Sequence, residues 1–252
     1  MIFDLAAVRA ALPGRDIRWH ASIGSTMHEA AELAAAGAES GTVIGAEEQT
    51  AGQGRFGRRW HSESGAGLYF TVILRFPFTV ADTPLVTLAL GLAVREAILD
   101  TTGVACDLRW PNDLLVADRK VAGILTHMEA GAVVAGIGIN VNQTDLPDDI
   151  AAIATSLRLL TGQPQSREQL LIRVLPKIDE WCALLAREGR EPILRVFTEA
   201  SSYVTGRRVR VEITEGETIA GVTAGLTAGG FLKVRDDRGK EHTIVAGGVR
   251  PA

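Results

Sequence analysis

The sequence predicts an α+β fold: a mixed, largely antiparallel central sheet flanked by helices, followed by a small C-terminal β-barrel. Between residues 107 and 141, strand-like runs follow one another with only short turns between them, and consecutive hairpins make antiparallel sheet. Apolar helical patterns precede and follow this stretch. Near Thr205 the composition changes to several short strands. We therefore expect two domains, over residues 1–204 and 205–252.

Apolar periodicity and turn residues predict the elements of the first half of the chain. These are helices over residues 3–12, 26–37 and 83–101, and strands over 17–20, 42–46 and 68–75. Thr26, with Glu29 three positions later, predicts a capping box for the second helix. Pro84 and Gly103 mark the two ends of the third helix.

The second half begins with the hairpins and ends in the barrel. Strands are predicted over 107–110, 114–117, 121–128 and 133–141, with tight turns at Asp118-Arg119 and Ala130-Gly131. Helices are predicted over 149–160, 167–187 and 191–203, and barrel strands over 208–213, 218–226, 231–235 and 241–246. Because the hairpins are consecutive, this is not a doubly wound dinucleotide-binding fold.

The composition is that of a soluble globular protein, with 46% hydrophobic and 22% charged residues. A formal net charge of −4 argues against a general nucleic-acid binder. Cys106 and Cys182 lack CxxC spacing and indicate buried thiols in a reducing compartment. The histidines lack metal-ligand spacing, and neither a signal peptide nor a membrane-spanning run is recognisable. We expect a cytoplasmic protein with no membrane and no nucleic-acid partner.

One loop stands apart from this acidic chain. Residues 50–60, TAGQGRFGRRW, contain three glycines, three arginines and a tryptophan. The glycines let backbone amides approach a ligand closely, and forked guanidinium donors suit phosphate and carboxylate oxygens. It is not a Walker loop, because no Gly-Lys-Ser/Thr follows. This glycine–arginine loop indicates a site for a small anion; the alternative is a solvated loop whose arginines keep the protein soluble.

A second motif, RWPNDLLVADRKVAGIL, spans residues 109–125. Its Pro-Asn pair predicts a turn that presents Asn112 and Asp113 at a strand edge, with Lys120 across a hairpin from them. The chain has only four lysines, and Lys120 is the only one before Lys177. A lone lysine among many arginines favours a site that needs a compact ammonium, although a surface lysine in a turn fits the same spacing.

Two further motifs fit both a ligand site and an ordinary structural role. In GIGINVN, residues 136–142, two strand glycines indicate close approach by another backbone or a ligand, and Asn140 and Asn142 share one face. A strand that ends in two hydrogen-bonded asparagines gives the same pattern. Ser25 and Thr26 follow a strand and start a helix, whose first-turn amides beside a hydroxyl also suit a ligand.

Taken together and in order, these motifs resemble those of the biotin protein ligase family. The resemblance is carried by Ser-Thr before a helix, Gln49 ahead of the glycine–arginine loop, Trp-Pro-Asn-Asp with Arg-Lys-x-Ala-Gly-Ile, and Gly-Ile-Asn-x-Asn. It runs from about residue 16 to the end of the chain. It implies the class II aminoacyl-tRNA synthetase/biotin ligase-like fold with a C-terminal SH3-like β-barrel. It also implies the monofunctional form, without the N-terminal DNA-binding domain.

The resemblance implies an ATP-dependent ligase. Biotin and ATP would condense to biotinyl-5′-adenylate and pyrophosphate, and a lysine of a biotin carboxyl carrier protein or carboxylase carrier domain would then take the biotin as an amide. The implied ligands are ATP, Mg²⁺ and biotin. Both a monomer and a homodimer are compatible with the sequence.

The implied site residues form three sets. Those around biotin are Ser25, Thr26, Met27, Gln49, Gly52, Gln53, Gly54, Arg55, Trp60, Lys120 and Gly123. Those around ATP are Arg55, Arg58, Arg109, Asn112, Asp113, Lys120, Asn140 and Asn142. The implied catalytic residues are Lys120, Arg55 and Arg58, with Lys120 on the biotin carboxylate. Asp113 is the implied Mg²⁺ ligand, and residues 154–157 match the segment that closes over adenine.

Two positions depart from the family pattern, which usually has Arg in place of Gln53 and Asn in place of Met27. The nearest alternative function is a lipoate or octanoate ligase or transferase of the same fold. Gln49 and Trp-Pro-Asn-Asp favour biotin, because an acyl chain has no ureido group to bind. A nucleic-acid-binding module is a further alternative that the acidic charge argues against. A non-catalytic biotin sensor is another, and the presence of both Lys120 and Arg55 argues against it.

Overall fold

The computed structural model describes residues 3–214 and 217–252 of the chain. Its helices are α1 (Leu5–Ala11), α2 (Thr26–Ala35), α3 (Thr83–Thr102), α4 (Asp148–Ala151), α5 (Leu157–Thr161), α6 (Arg167–Glu188) and α7 (Arg190–Glu199). The strands of the first sheet are β1 (Ile17–His20), β2 (Val43–Ala46), β3 (Leu68–Leu74), β4 (Asp107–Arg109), β5 (Asp113–Val116), β6 (Arg119–Glu129) and β7 (Ala132–Ile139). Those of the second sheet are β8 (Thr205–Thr214), β9 (Glu217–Leu226), β10 (Leu232–Asp236), β11 (Glu241–Ile244) and β12 (Gly248–Pro251).

The first sheet has the strand order β1-β2-β3-β7-β6-β5-β4. β1 and β2 are parallel, and every other neighbouring pair is antiparallel. Because side chains alternate along a strand, β3 serves both faces: Phe70 and Val72 join the core around α3, and Ile73 joins the cluster under α2. The predicted α+β fold with a mixed, largely antiparallel sheet flanked by helices is confirmed.

The second sheet has the order β11-β10-β9-β8-β12, and all its described neighbours are antiparallel. It begins at Thr205, where the composition changes. Polar contacts join it to the first sheet: Trp110 Nε1 donates to the Gly230 carbonyl, and Arg207 pairs with Asp118 at 2.8 Å. The division into two domains stays a prediction.

Two predictions fail at helix ends. The Thr26 capping box is wrong, because Ser25 is the N-cap of α2 and the Thr26 amide and hydroxyl both donate to Gln49. Glu29 Oε2 instead lies 3.0 Å from His20 Nε2. The last predicted helix ends at Glu199 rather than at residue 203, and the segment beyond it is held by polar contacts such as Tyr203 to Asp118.

The single helix predicted over residues 149–160 is also wrong. The structure has two short helices, α4 and α5, and the segment between them pairs with Lys120. The Lys120 amide donates to the Ile153 carbonyl, and the Thr155 amide donates to the Lys120 carbonyl. Local apolar periodicity does not reveal a break that is made by pairing with a distant strand.

Smaller differences and agreements complete the comparison. The first tight turn has positive φ at Ala117 and Asp118, one residue earlier than predicted. Both cysteines are free and buried, as predicted, and burial raises the pKa of each thiol to about 12. No helix within residues 3–214 and 217–252 combines the length and the apolar character needed to cross a membrane.

Candidate functional site

A pocket lies between α2, the glycine–arginine loop and strands β6 and β7. Among the residues that line it are Thr26, Met27, Gln49, Gln53, Gly54, Arg55, Trp60, Asn112, Lys120 and Gly123. All of these come from the motifs that the sequence singled out, although they are spread along the chain from residue 26 to residue 123. Apolar groups of β3, β6 and β7, including Phe70 and Ile137, complete the lining. The fold therefore brings the separate motifs to one place.

One end of the pocket is a buried polar patch, formed by Ser25, Thr26, Gln49, Ser62 and Thr71. Gln49 Oε1 accepts from the Thr26 amide and hydroxyl, at 2.9 and 3.0 Å, and its Nε2 donates to Ser62 Oγ at 3.2 Å. The Thr71 hydroxyl donates to Thr26 Oγ1 at 2.8 Å. These bonds fix the orientation of the Gln49 amide, and the buried Ser25 hydroxyl has no protein partner among the described residues.

Ser62 and Thr71 were not predicted from the sequence. Ser62 lies two residues beyond the glycine–arginine loop, and Thr71 lies within an apolar strand. No local pattern marks either hydroxyl. Only the fold brings them to Gln49.

The glycine–arginine loop folds back on itself. The Gly54 amide donates to the Arg58 carbonyl at 2.8 Å, and the Trp60 amide donates to the Gly52 carbonyl at 2.9 Å. Its tip turns through positive φ at Phe56 and Gly57. A methyl group on Gly52 would lie 2.7 Å from the Trp60 carbonyl oxygen, so close backbone approach explains that glycine.

Glycines of β6 and β7 make room for large side chains. A methyl group on Gly138 would lie 2.4 Å from Trp60 Cε2, and one on Gly136 would lie 2.4 Å from Met27 Sδ. A methyl group on Gly123 would lie 2.7 Å from Lys120 Nζ. The sequence predicted close approach by another backbone or a ligand at Gly136 and Gly138; the groups that approach them are instead the side chains of Met27 and Trp60.

Lys120 lines the pocket, and beside it Asp113 lies between two cations; Asp113 and Arg109 themselves lie outside the pocket lining. Lys120 Nζ is 2.5 Å from Asp113 Oδ1, and Arg109 Nη2 is 2.7 Å from Asp113 Oδ2. The hairpin pairing of β5 with β6 produces this arrangement, as the sequence predicted. Burial raises the pKa of the Asp113 carboxyl, but Lys120 and Arg109 outweigh burial and hold it below its usual value. Asp113 is therefore an anion at neutral pH.

Arg55 lines the pocket too. Its Nη1 donates to Asn112 Oδ1 at 3.1 Å, and Asn112 Nδ2 in turn donates to the Ile124 carbonyl. Burial lowers the pKa of Arg55, with Asp113 opposing that shift, and an arginine remains charged at any pH of interest. Arg55 and Lys120 both line the pocket here, so two cationic side chains face an anion that enters it.

Several predicted residues lie outside the pocket lining. Asn140 Nδ2 donates to the Thr155 carbonyl at 3.0 Å, and Asn142 exchanges two hydrogen bonds with the backbone of Gln165. Both amides therefore hold chain segments beside the site. Arg58 is exposed and lies 3.6 Å from Glu212 of the second sheet. Their roles towards ATP stay predictions.

Comparisons with known proteins agree with this geometry. Residues 19–143 match the model of the biotin/lipoate A/B protein ligase family. The bifunctional ligase/repressor BirA of Bacillus subtilis is 35% identical over 233 residues, which cover 90% of this chain and 71% of that protein. The biotin–[acetyl-CoA-carboxylase] ligase of Mycobacterium tuberculosis is 33% identical, covering 98% and 94%. The chain belongs to the biotin/lipoate A/B protein ligase family.

A solved structure of the same family has the same fold. The biotin protein ligase from Aquifex aeolicus, in complex with biotin and ATP, matches with a TM-score of 0.83 and 29% identity. The match covers 94% of this chain and 99% of that one. The family name includes both biotin and lipoate ligases, so membership alone does not distinguish the two substrates.

Proposed function

We propose that this family member is a biotin–[biotin carboxyl-carrier protein] ligase. It activates biotin as biotinyl-5′-adenylate and transfers the biotinyl group to a carrier lysine. One observation carries the proposal: a single pocket has a buried hydrogen-bonding patch around Gln49 at one end and Lys120 with Arg55 at the other. Two of the similar proteins named above support it. One is the biotin–[acetyl-CoA-carboxylase] ligase of Mycobacterium tuberculosis, and the other is the biotin protein ligase from Aquifex aeolicus in complex with biotin and ATP.

The patch suits the ureido ring of biotin, which presents two N–H donors and one carbonyl acceptor. Ser25 Oγ is a buried hydroxyl with no protein partner among the described residues, and it supplies a donor or an acceptor to that ring. The apolar lining, including Met27 and Phe70, suits the thiophane ring and the aliphatic tail. The tail then directs its carboxylate towards Lys120.

Lys120 and Arg55 address the electrostatic problem of the first step. A carboxylate oxygen of biotin attacks the α-phosphorus of ATP, the mixed anhydride forms, and pyrophosphate leaves. Two unit charges about 4 Å apart repel by roughly 4 kcal/mol at an effective dielectric near 20. Fixed cations between the two anions offset this repulsion. In the second step a carrier lysine amine attacks the acyl carbon, an amide forms, and AMP leaves.

Asp113 fits a contribution to Mg²⁺ binding. Mg²⁺ is usually held by one or two carboxylates together with substrate phosphates, and it supplies charge neutralisation at the phosphates. No group of three or more acidic, histidine or cysteine side chains suited to a metal occurs in the described part of the chain. Lys120 and Arg109 each pair with one oxygen of Asp113, so Mg²⁺ would have to take the place of one of these cations on the carboxylate. We place the reaction, with its carrier partner, in the cytoplasm.

The second candidate is a lipoate or octanoate ligase. Its acyl substrates fit the apolar lining but leave Ser25 and the patch around Gln49 without a ligand partner, which is unfavourable in a buried site.

Substrate-dependent pyrophosphate release tests the proposal. With MgATP and no carrier, we expect biotin to produce pyrophosphate and bound adenylate, and lipoate and octanoate to produce neither above background. Release with lipoate or octanoate but not with biotin would replace the proposed function by the second candidate.

A further inference from the structure

The glycine–arginine loop contacts the second sheet through two of its arginines. Arg55 Nη1 donates to the Gly247 carbonyl at 3.2 Å, and Arg58 Nη2 lies 3.6 Å from Glu212 Oε2. Both arginines are the ones that the sequence predicts at the phosphates. The second sheet therefore contacts the guanidinium groups of Arg55 and Arg58, which belong to the loop beside the pocket.

The two acceptors lie side by side. β12 pairs with β8 so that Gly248 lies opposite Glu212. A methyl group on Gly247 would lie 2.9 Å from the Glu212 carbonyl oxygen, so only a glycine lets the turn approach β8 this closely. Glu212 and Gly247 form one docking edge for the loop.

The two contacts differ in charge and exposure. Arg55 is held by neutral oxygens of Asn112 and Gly247, so it keeps its positive charge uncompensated by either contact. Arg58 faces a carboxylate, and the side chains of Arg58 and Glu212 are 57% and 47% exposed. An ion pair this exposed is weak and is screened by salt. The Arg58 guanidinium can therefore readily leave Glu212 for a more highly charged anion.

We propose that Glu212 is a positioning residue that competes with the nucleotide for Arg58. It holds Arg58 on the second sheet until the phosphates take that guanidinium, so ATP must displace this ion pair before Arg58 can bind the phosphates. Glu212 therefore weakens ATP binding without contacting biotin. This inference rests on the proposed function, because it requires a triphosphate beside the glycine–arginine loop.

The test compares Glu212→Gln with the wild-type protein in the biotin-dependent pyrophosphate assay. We expect the KM for ATP to fall by roughly two- to fivefold at low salt, because an exposed pair contributes that much. The KM for biotin and kcat should not change, and raising the salt concentration should reduce the difference. In an Arg58→Gln background, Glu212→Gln should have no effect on the KM for ATP.

Glu241→Gln is the matched control. Glu241 lies in the same sheet, is similarly exposed, and pairs with Lys233 and Arg235 rather than with the loop. We expect its KM for ATP to equal that of the wild type. Thermal unfolding of each variant checks the fold, and Glu212→Ser repeats the test with a different side chain.

Three results would overturn the inference: an unchanged KM for ATP in both Glu212 variants, an equal decrease in Glu241→Gln, or the same decrease with Arg58 already replaced. A wild-type protein that releases no pyrophosphate with biotin would instead overturn the proposed function, and the inference with it.

Discussion

The polar patch around Gln49 and the arginine-bearing tip of the glycine–arginine loop are built in different ways. The patch is buried, and Gln49 is held by three hydrogen bonds to neighbours from α2 and the chain after the loop. The loop is largely exposed, and Arg58 is held only loosely by an exposed ion pair. The patch is thus already arranged for a neutral ring, whereas the loop must exchange partners when an anion binds. Specificity for biotin and affinity for ATP should respond to different mutations.

The largest expected effect comes from the cation between the two anions. Lys120→Ala should slow adenylate formation by about 30- to 1000-fold, or about 2–4 kcal/mol, because one charge at the reacting atoms is lost. In this variant Asp113 still pairs with Arg109, so we expect the fold to survive. The midpoint of thermal unfolding checks this expectation. Lys240→Ala, in an exposed turn of the second sheet, is the control. Pyrophosphate release within threefold of the wild type would contradict the role of Lys120.

Gln49→Ala tests the arranged end of the pocket. The ureido ring loses a hydrogen-bonding partner, and a polar ligand group left unpartnered in a buried site costs about 1–3 kcal/mol, so the Kd for biotin should rise roughly fivefold to a hundredfold. Calorimetric titration with biotin measures this, with the exposed Gln169→Ala as the control. The KM for ATP should change little. A Kd for biotin equal to that of the wild type would show that the patch does not receive the ring.

Gly247→Ala tests the other end. The added methyl group would meet the Glu212 backbone, the turn must shift, and Arg55 loses one of its two acceptors. Hydrogen bonds to charged groups contribute about 1.5–3 kcal/mol, and because Asn112 remains we expect the KM for ATP to rise by roughly tenfold at most. The Kd for biotin should not change.

Gly248→Ala is the matched control, since a methyl group there meets nothing within 4 Å. If both glycine variants behave alike, the contact between Arg55 and the second sheet does not matter for ATP.

The smallest expected effect is at Gln53, which lines the pocket and pairs with Arg59. Gln53→Arg adds a cation, and charge-assisted hydrogen bonds are about twice as strong as neutral ones. Release of biotinyl-adenylate should slow by at most about tenfold, since Arg55 remains to share the phosphate. Stopped-flow displacement at low and moderate salt measures the release rate. Equal rates at low salt would mean that position 53 points away from the phosphate.

Local patterns were enough to predict the strands of the first sheet and the long helices, but not β12, and the family resemblance supplied most of the residues that meet in the pocket. β1 has the predicted bounds, and the hairpin from Asp113 to Lys120 brings its ends together as expected. What the sequence did not reveal depends on distant partners. The Thr26 hydroxyl donates to Gln49 and does not form the predicted capping box with Glu29. Ala154 pairs with Lys120 and so interrupts the helix predicted over residues 149–160. Gly247 and Glu212 act on the loop only because the second sheet folds against it.

The measurement that tests the central claim most directly is the intact mass of a biotin carrier domain incubated with this protein, biotin and MgATP. We predict the addition of one biotinyl group to one lysine, and no addition when ATP is omitted or when Lys120→Ala replaces the wild-type protein. A carrier domain that stays unmodified with biotin, under conditions where the protein is folded, would contradict the account.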